Sequence, residues 1–167
     1  TLKHLEQEIE KMLSEAASQD AQEDQAFGAD KRGVEIPEDF ISGERDAATA
    51  HLGMELVSVT PGNVVITMTV KDYMVQGHGN CHGGYIFTLA DSAFAFACNT
   101  YNAVTVAQGC SIEYMKPAIL GDALVAKASE VSRGKRTGVY DVRIERSGGE
   151  LVALMRGKSY QVNATLF

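Results

Sequence analysis

The sequence predicts an α+β domain: one long apolar helix in the middle of the chain, served by an antiparallel sheet of about five or six strands. Three observations predict it. Residues 85–100 combine Ala, Leu and Phe over a length that suits a helix. Segments of alternating apolar and polar residues lie on both sides of that run. The connections between them are short and contain glycine, which favours antiparallel neighbours.

Residues 54–59 and 64–70 read as a hairpin across Pro61-Gly62-Asn63. A loop, Gly77-His78-Gly79-Asn80-Cys81-His82-Gly83-Gly84, leads into the helix. There Ile86, Phe87, Leu89, Ala90, Ala93, Phe94, Ala95, Phe96, Ala97 and Cys98 surround the axis, the pattern of a helix buried on nearly every side. Its alanines let a sheet wrap closely. Further strands fall in 105–115, 123–132, 138–146 and 151–162, the last after Ser147-Gly148-Gly149. The clearest alternation sets Tyr140, Val142 and Ile144 inward and Asp141, Arg143 and Glu145 outward.

The chain has 167 residues, enough for one domain and an appendage. Residues 1–46 hold 13 acidic and 5 basic residues, whereas residues 47–167 hold 9 and 10. The first segment reads as an acidic N-terminal extension. Leu2, Leu5, Ile9, Met12 and Leu13 mark a short amphipathic helix, and a linker follows over 16–32. Residues 47–167 form the main domain. The acidic balance argues against a nucleic-acid partner. No apolar run approaches the roughly 20 residues of a membrane span, and the N-terminal stretch lacks a signal-peptide core. Cys81, Cys98 and Cys110 are an odd, scattered set, which excludes a disulfide framework and suits the reducing cytoplasm.

Three groups of residues carry chemistry. Gly83-Gly84 opens the helix, where unpaired amides and partial positive charge make an oxyanion hole. Asp91 lies within the apolar run, where an unpaired carboxylate is costly, and it is placed to attack a carbonyl or activate water. A tight turn and a satisfied core acid account for the same residues equally well at this point. Gly84 and Asp91 are seven residues apart, roughly 10 Å along a helix, so one carbonyl cannot touch both in one chain. If both act on one substrate, neighbouring antiparallel helices must supply them, and a twofold dimer with composite sites follows.

The second group, His78, Cys81 and His82, lacks a fourth ligand in the loop, so no metal is expected, and His82 fits better as a residue that fixes the loop. The third is the basic turn Arg133-Gly134-Lys135-Arg136-Thr137-Gly138, either a solvated hairpin turn or a phosphate contact. NTPase, dinucleotide-binding and serine-hydrolase motifs are missing from the sequence.

The run Cys81-His82-Gly83-Gly84-Tyr85-Ile86-Phe87-Thr88-Leu89-Ala90-Asp91 resembles the HGG-x5-A-D signature of the phenylacetic-acid-degradation thioesterases, hotdog-fold enzymes acting on acyl-coenzyme A. Residues 64–70, 92–99, 121–122, 134–140 and 156–159 extend the resemblance over about residues 47–160. The resemblance implies a central helix wrapped by the sheet, and hydrolysis of acyl-CoA, with aryl-acetyl esters such as hydroxyphenylacetyl-CoA as substrates. It implies Asp91 as nucleophile or base, Gly83 as the donor that polarises the carbonyl, and Gln76 as an orienting amide. It places Lys135, Arg136 and Thr137, with Gly134, at the coenzyme A nucleotide, and His82 and Gly84 beside the substrate. It also implies a homodimer or homotetramer with sites between subunits, and no cofactor. Tyr85, Phe87 and Phe94 are candidates for an aryl pocket. The rival readings are a non-catalytic acyl-CoA-binding hotdog module and a hotdog dehydratase or hydratase.

Overall fold

Asp46 starts the first element of the computed structural model, which describes Ile36 and residues 46–166. Its carboxylate accepts the N–H groups of Ala48 and Thr49, both at 3.1 Å, and caps a single-turn helix, α1 (Ala47–His51). Strands β1 (Glu55–Thr60) and β2 (Asn63–Thr69) form the expected hairpin. Gly62 turns it with φ +75°, a conformation that favours glycine. A 3₁₀ turn (Asp72–Met74) and the glycine loop lead into α2 (Gly83–Asn99). Strands β3 (Thr105–Tyr114), β4 (Ala123–Arg133), β5 (Thr137–Arg146) and β6 (Leu151–Gln161) complete the chain. The helix and linker expected over 2–13 and 16–32 lie outside the described residues.

The six strands form one antiparallel sheet in the order β1-β2-β4-β5-β6-β3. β3 follows the helix in sequence yet lies at the far edge from β1, so α2 carries the chain across the sheet. The register lines up the inward side chains. Val64 lies opposite Ala128, Ala128 opposite Val142, Val142 opposite Met155, and Met155 opposite Ile112. Alternate positions on β2, β4 and β5 are almost fully buried, as period-2 patterning requires.

The helix lies in this curved sheet, with Leu89, Ala90, Ala93, Phe94 and Ala97 fully buried. Phe94 fits because β6 has no side chain at Gly157: a Cβ there would lie 2.8 Å from two Phe94 ring atoms. The Phe94 ring meets Tyr140 edge-on, with centroids 5.6 Å apart. This makes Phe94 a core residue rather than part of an aryl pocket.

Two expectations change. The helix is not covered on nearly every side: Gly84, Phe87, Thr88, Asp91, Ser92, Ala95 and Asn99 remain partly or fully open. At about 3.6 residues per turn these positions fall on one stripe, and a single sheet covers only the opposite side. Glu145 does point outward, yet it is buried, because Lys127 at 2.7 Å and Arg143 at 3.1 Å close over it and hold its carboxyl below the usual range.

Gly157→Ala drives a methyl group into the Phe94 ring and should destabilise the fold by about 1–3 kcal/mol. Urea unfolding measures this as a lower midpoint at unchanged slope. A second change, Phe94→Leu, should recover part of the loss.

Candidate active site

The loop before α2 is a set of short backbone bonds. Gln76 N–H donates to Asn80 O at 2.8 Å, Gly79 N–H donates to Gln76 O at 2.8 Å, and Gln76 Oε1 accepts from His78 N–H at 2.7 Å. The amide nitrogen of Gln76 has no partner among the described residues. Cys81 N–H is bound by Ala118 O and His82 N–H by Met74 O.

His82 is the N-cap of α2. Its backbone is extended, and its Nδ1 accepts the Gly84 N–H at 2.9 Å. That bond requires an unprotonated Nδ1. The Gly84 amide is therefore committed to the cap and is not free for a substrate. The Gly83 N–H has no partner among the described residues. Close approach explains both glycines: a Cβ on Gly83 would come within 3.1 Å of the Tyr114 ring, and one on Gly84 within 3.0 Å of His82.

Asp91 stands midway along the open stripe of α2, and only partly buried. Its carboxyl has no hydrogen bond or ion pair among the described residues. Burial pushes its pKa above the ordinary aspartate value. Burial likewise raises the Cys110 thiol, and the Asp91 charge adds to that shift. Cys98, behind them, is pushed up to about 12, chiefly by burial, which leaves it an inert thiol. Gly83 and Asp91 are separated by eight residues of continuous helix, about 12 Å along the axis.

The basic turn sits at the other end of α2. Arg133 lies against the Tyr101 ring, 3.7 Å from its centroid, and 3.8 Å from Glu130 Oε2. Glu130 also accepts the hydroxyls of Tyr101 at 2.7 Å and Tyr140 at 3.2 Å. Gly134 N–H closes the turn on Thr137 O at 2.8 Å, so this amide too is committed within the chain. Arg136 is exposed and donates to Tyr160 Oη at 3.1 Å. Lys135 is exposed and makes no ion pair among the described residues.

One protomer therefore brings Gln76, His82, Gly83 and Gly84 together at the start of α2. It places Asp91 in the middle, and Lys135, Arg136 and Thr137 beyond the end. Sequence reasoning missed Tyr114, whose hydroxyl donates to the Gly83 oxygen at 2.9 Å. The signal was its even spacing with Cys110 and Ile112 on β3, which puts all three on the helix side of the sheet.

The chain matches the family model described as thioesterase superfamily over residues 78–153, a span that contains His82, Gly83, Asp91 and the basic turn. It is 45 % identical over 123 residues to the acyl-coenzyme A thioesterase PaaI of Escherichia coli, covering 74 % of this chain and 88 % of that one. The structure of E. coli PaaI, from the phenylacetic acid degradation operon, matches with a TM-score of 0.73 at 44 % identity, covering 74 % of this chain and 90 % of that one. A putative esterase of Archaeoglobus fulgidus is 39 % identical over 130 residues, 78 % of this chain and 84 % of its own. A Streptococcus mutans protein bound to acetyl-CoA matches with a TM-score of 0.65 at 30 % identity, covering 68 % of this chain and 91 % of that one.

The raised pKa of Asp91 has a sign that can be tested. Below the ordinary aspartate range the folded and unfolded states both carry the proton, and Asp91 costs nothing. As pH rises through that range the unfolded chain ionises first, so stability falls until the folded carboxyl ionises as well. Asp91→Asn should raise the thermal midpoint at neutral pH, with the gain vanishing below about pH 3. A pH series of melting curves checks this.

Proposed function

This chain belongs to the thioesterase superfamily, and from that premise we propose how its residues act. It is a hotdog-fold acyl-CoA thioesterase, which hydrolyses the thioester to a free acid and coenzyme A. Asp91 carries this reading: it is a lone carboxyl with a raised pKa, held on the open stripe of the central helix.

The thioester oxygen sits at the Gly83 N–H, where the positive end of α2 stabilises the charge that develops as the carbonyl is attacked. Gln76 orients the acyl group or the water through its free amide nitrogen. Asp91 either attacks the carbonyl carbon or takes a proton from the attacking water. The thiolate of coenzyme A then leaves as the carbonyl re-forms. Because about 12 Å separates Gly83 from Asp91 on one helix, the carboxylate comes from the partner subunit. The open stripe supports this arrangement. A twofold axis beside Phe87 and Thr88 sets Gly84 of one helix opposite Asp91 of the other, since the two are equidistant from it. The edge strand β3, with Val106 and Tyr114 about half exposed and Met115 just beyond its end, supplies a second surface for pairing. The assembly is a homodimer or a homotetramer.

Lys135 and Arg136 face the nucleotide phosphates, and the Thr137 hydroxyl adds a donor. Gly134 shapes the turn rather than donating to the ligand. His82 contributes through the cap that orders Gly83 and Gly84, and the Gly84 Cα leaves room beside the acyl chain. A hydratase needs a histidine free to shuttle a proton, whereas His82 Nδ1 is already engaged. The substrates are aryl-acetyl-CoA esters such as hydroxyphenylacetyl-CoA. The relation to PaaI supports that choice, as does Phe87, which lies on the open stripe between Gly84 and Asp91. The reaction takes place in the cytoplasm and needs no cofactor.

Asp91→Asn should lower kcat for hydroxyphenylacetyl-CoA about 10³-fold while changing KM little, measured as thiol release. Unchanged turnover would remove Asp91 from the mechanism. Lys135→Glu should raise KM several-fold for CoA esters, and leave KM unaltered for the matching N-acetylcysteamine thioester, which lacks the nucleotide.

A further inference from the structure

One neighbouring and one distant side chain hold the Gly83–Gly84 peptide at both ends. Its N–H donates to His82 Nδ1 at 2.9 Å, and its oxygen accepts the Tyr114 hydroxyl at 2.9 Å. The preceding peptide is held by its own oxygen, which accepts the Tyr85 N–H at 3.0 Å. Of the four polar atoms on these two consecutive peptides, the Gly83 N–H alone has no partner among the described residues.

The hydroxyl of Tyr114 is not there to rescue an orphan. In an α-helix the oxygen of Gly83 already receives an amide from four residues further on. Tyr114 comes from the last position of β3, at the edge of the sheet. Its backbone is clamped there, because Met115 and Lys116 both donate to Val152 O, at 2.8 and 3.2 Å. Its ring crowds Gly83: a Cβ there would come within 3.1 Å of it and force the ring to shift. One residue therefore both crowds Gly83 and grips the Gly83 oxygen.

We propose that Tyr114 is the positioning residue of the oxyanion hole: from the sheet edge it fixes the Gly83–Gly84 peptide so that the Gly83 N–H keeps one direction toward the thioester oxygen. This rests on Gly83 being the carbonyl donor. A donor already aimed at the developing charge stabilises the transition state without having to reorient. Tyr114 acts through Gly83, so its hydroxyl governs turnover rather than binding. Burial raises its pKa, and the phenol stays a donor across the working pH range.

The test is steady-state thiol release by the full chain. Tyr114→Phe keeps the ring and removes the hydroxyl, and it should lower kcat about tenfold with KM and the thermal midpoint close to wild type. In a Gly83→Ala background, where the new Cβ already displaces the ring, the same change should cost less than about twofold. Wild-type kcat for Tyr114→Phe, an equal cost in both backgrounds, or a lowered midpoint with kcat intact would each overturn the proposal. Full activity of Asp91→Asn overturns instead the catalytic reading beneath it.

Discussion

A straight helix cannot bring its first turn to its own middle, and this constraint governs the rest of the structure. α2 runs unbroken from Gly83 to Asn99, with the unpaired amide at its start and the carboxyl two turns along. Both groups are costly to the isolated protomer. One is an unsatisfied donor, the other a desolvated acid. In the proposed dimer each becomes useful, because a second helix running antiparallel beside the first would bring the two together.

The sheet makes that geometry rigid. Phe94 seats the helix against β5 and β6 through the gap at Gly157, and the aligned rows of Val64, Ala128, Val142 and Met155 fill the concave face. The opposite side of the helix then faces outward with Phe87 among small and polar residues. At the far end, Glu130 gathers Tyr101, Tyr140 and Arg133 into a polar cluster. That cluster anchors the root of the basic turn and leaves Lys135 at its tip. The anchored and the exposed cations of this turn thus do different work.

Much of this was legible in the sequence. Strand alternation and the glycine turns located the six strands closely, because period-2 burial leaves a direct mark on residues such as Tyr140, Val142 and Ile144. The helix start lay two residues earlier than its apolar content suggested, because a histidine cap leaves no hydrophobic signal. The open stripe was hidden because Ala95 and Phe87 are apolar yet uncovered, and composition does not reveal which side a sheet takes. Gly83 and Asp91 stood out as breaks in local rules. Tyr114 did not, since its importance depends on a pairing between residues 31 apart in sequence. The family match places the chain among thioesterases but does not itself assign these roles.

Strand β3 has ten residues, a single neighbour and two half-exposed large side chains, Val106 and Tyr114. A bare edge of this kind is a template for any other extended chain. If the proposed assembly covers this edge, a newly made protomer faces a kinetic race between pairing with a second copy and recruiting a misfolded stranger. Abundance in the cell then bears on proteostasis as well as on catalysis, because dilution prolongs the interval in which that edge is unguarded.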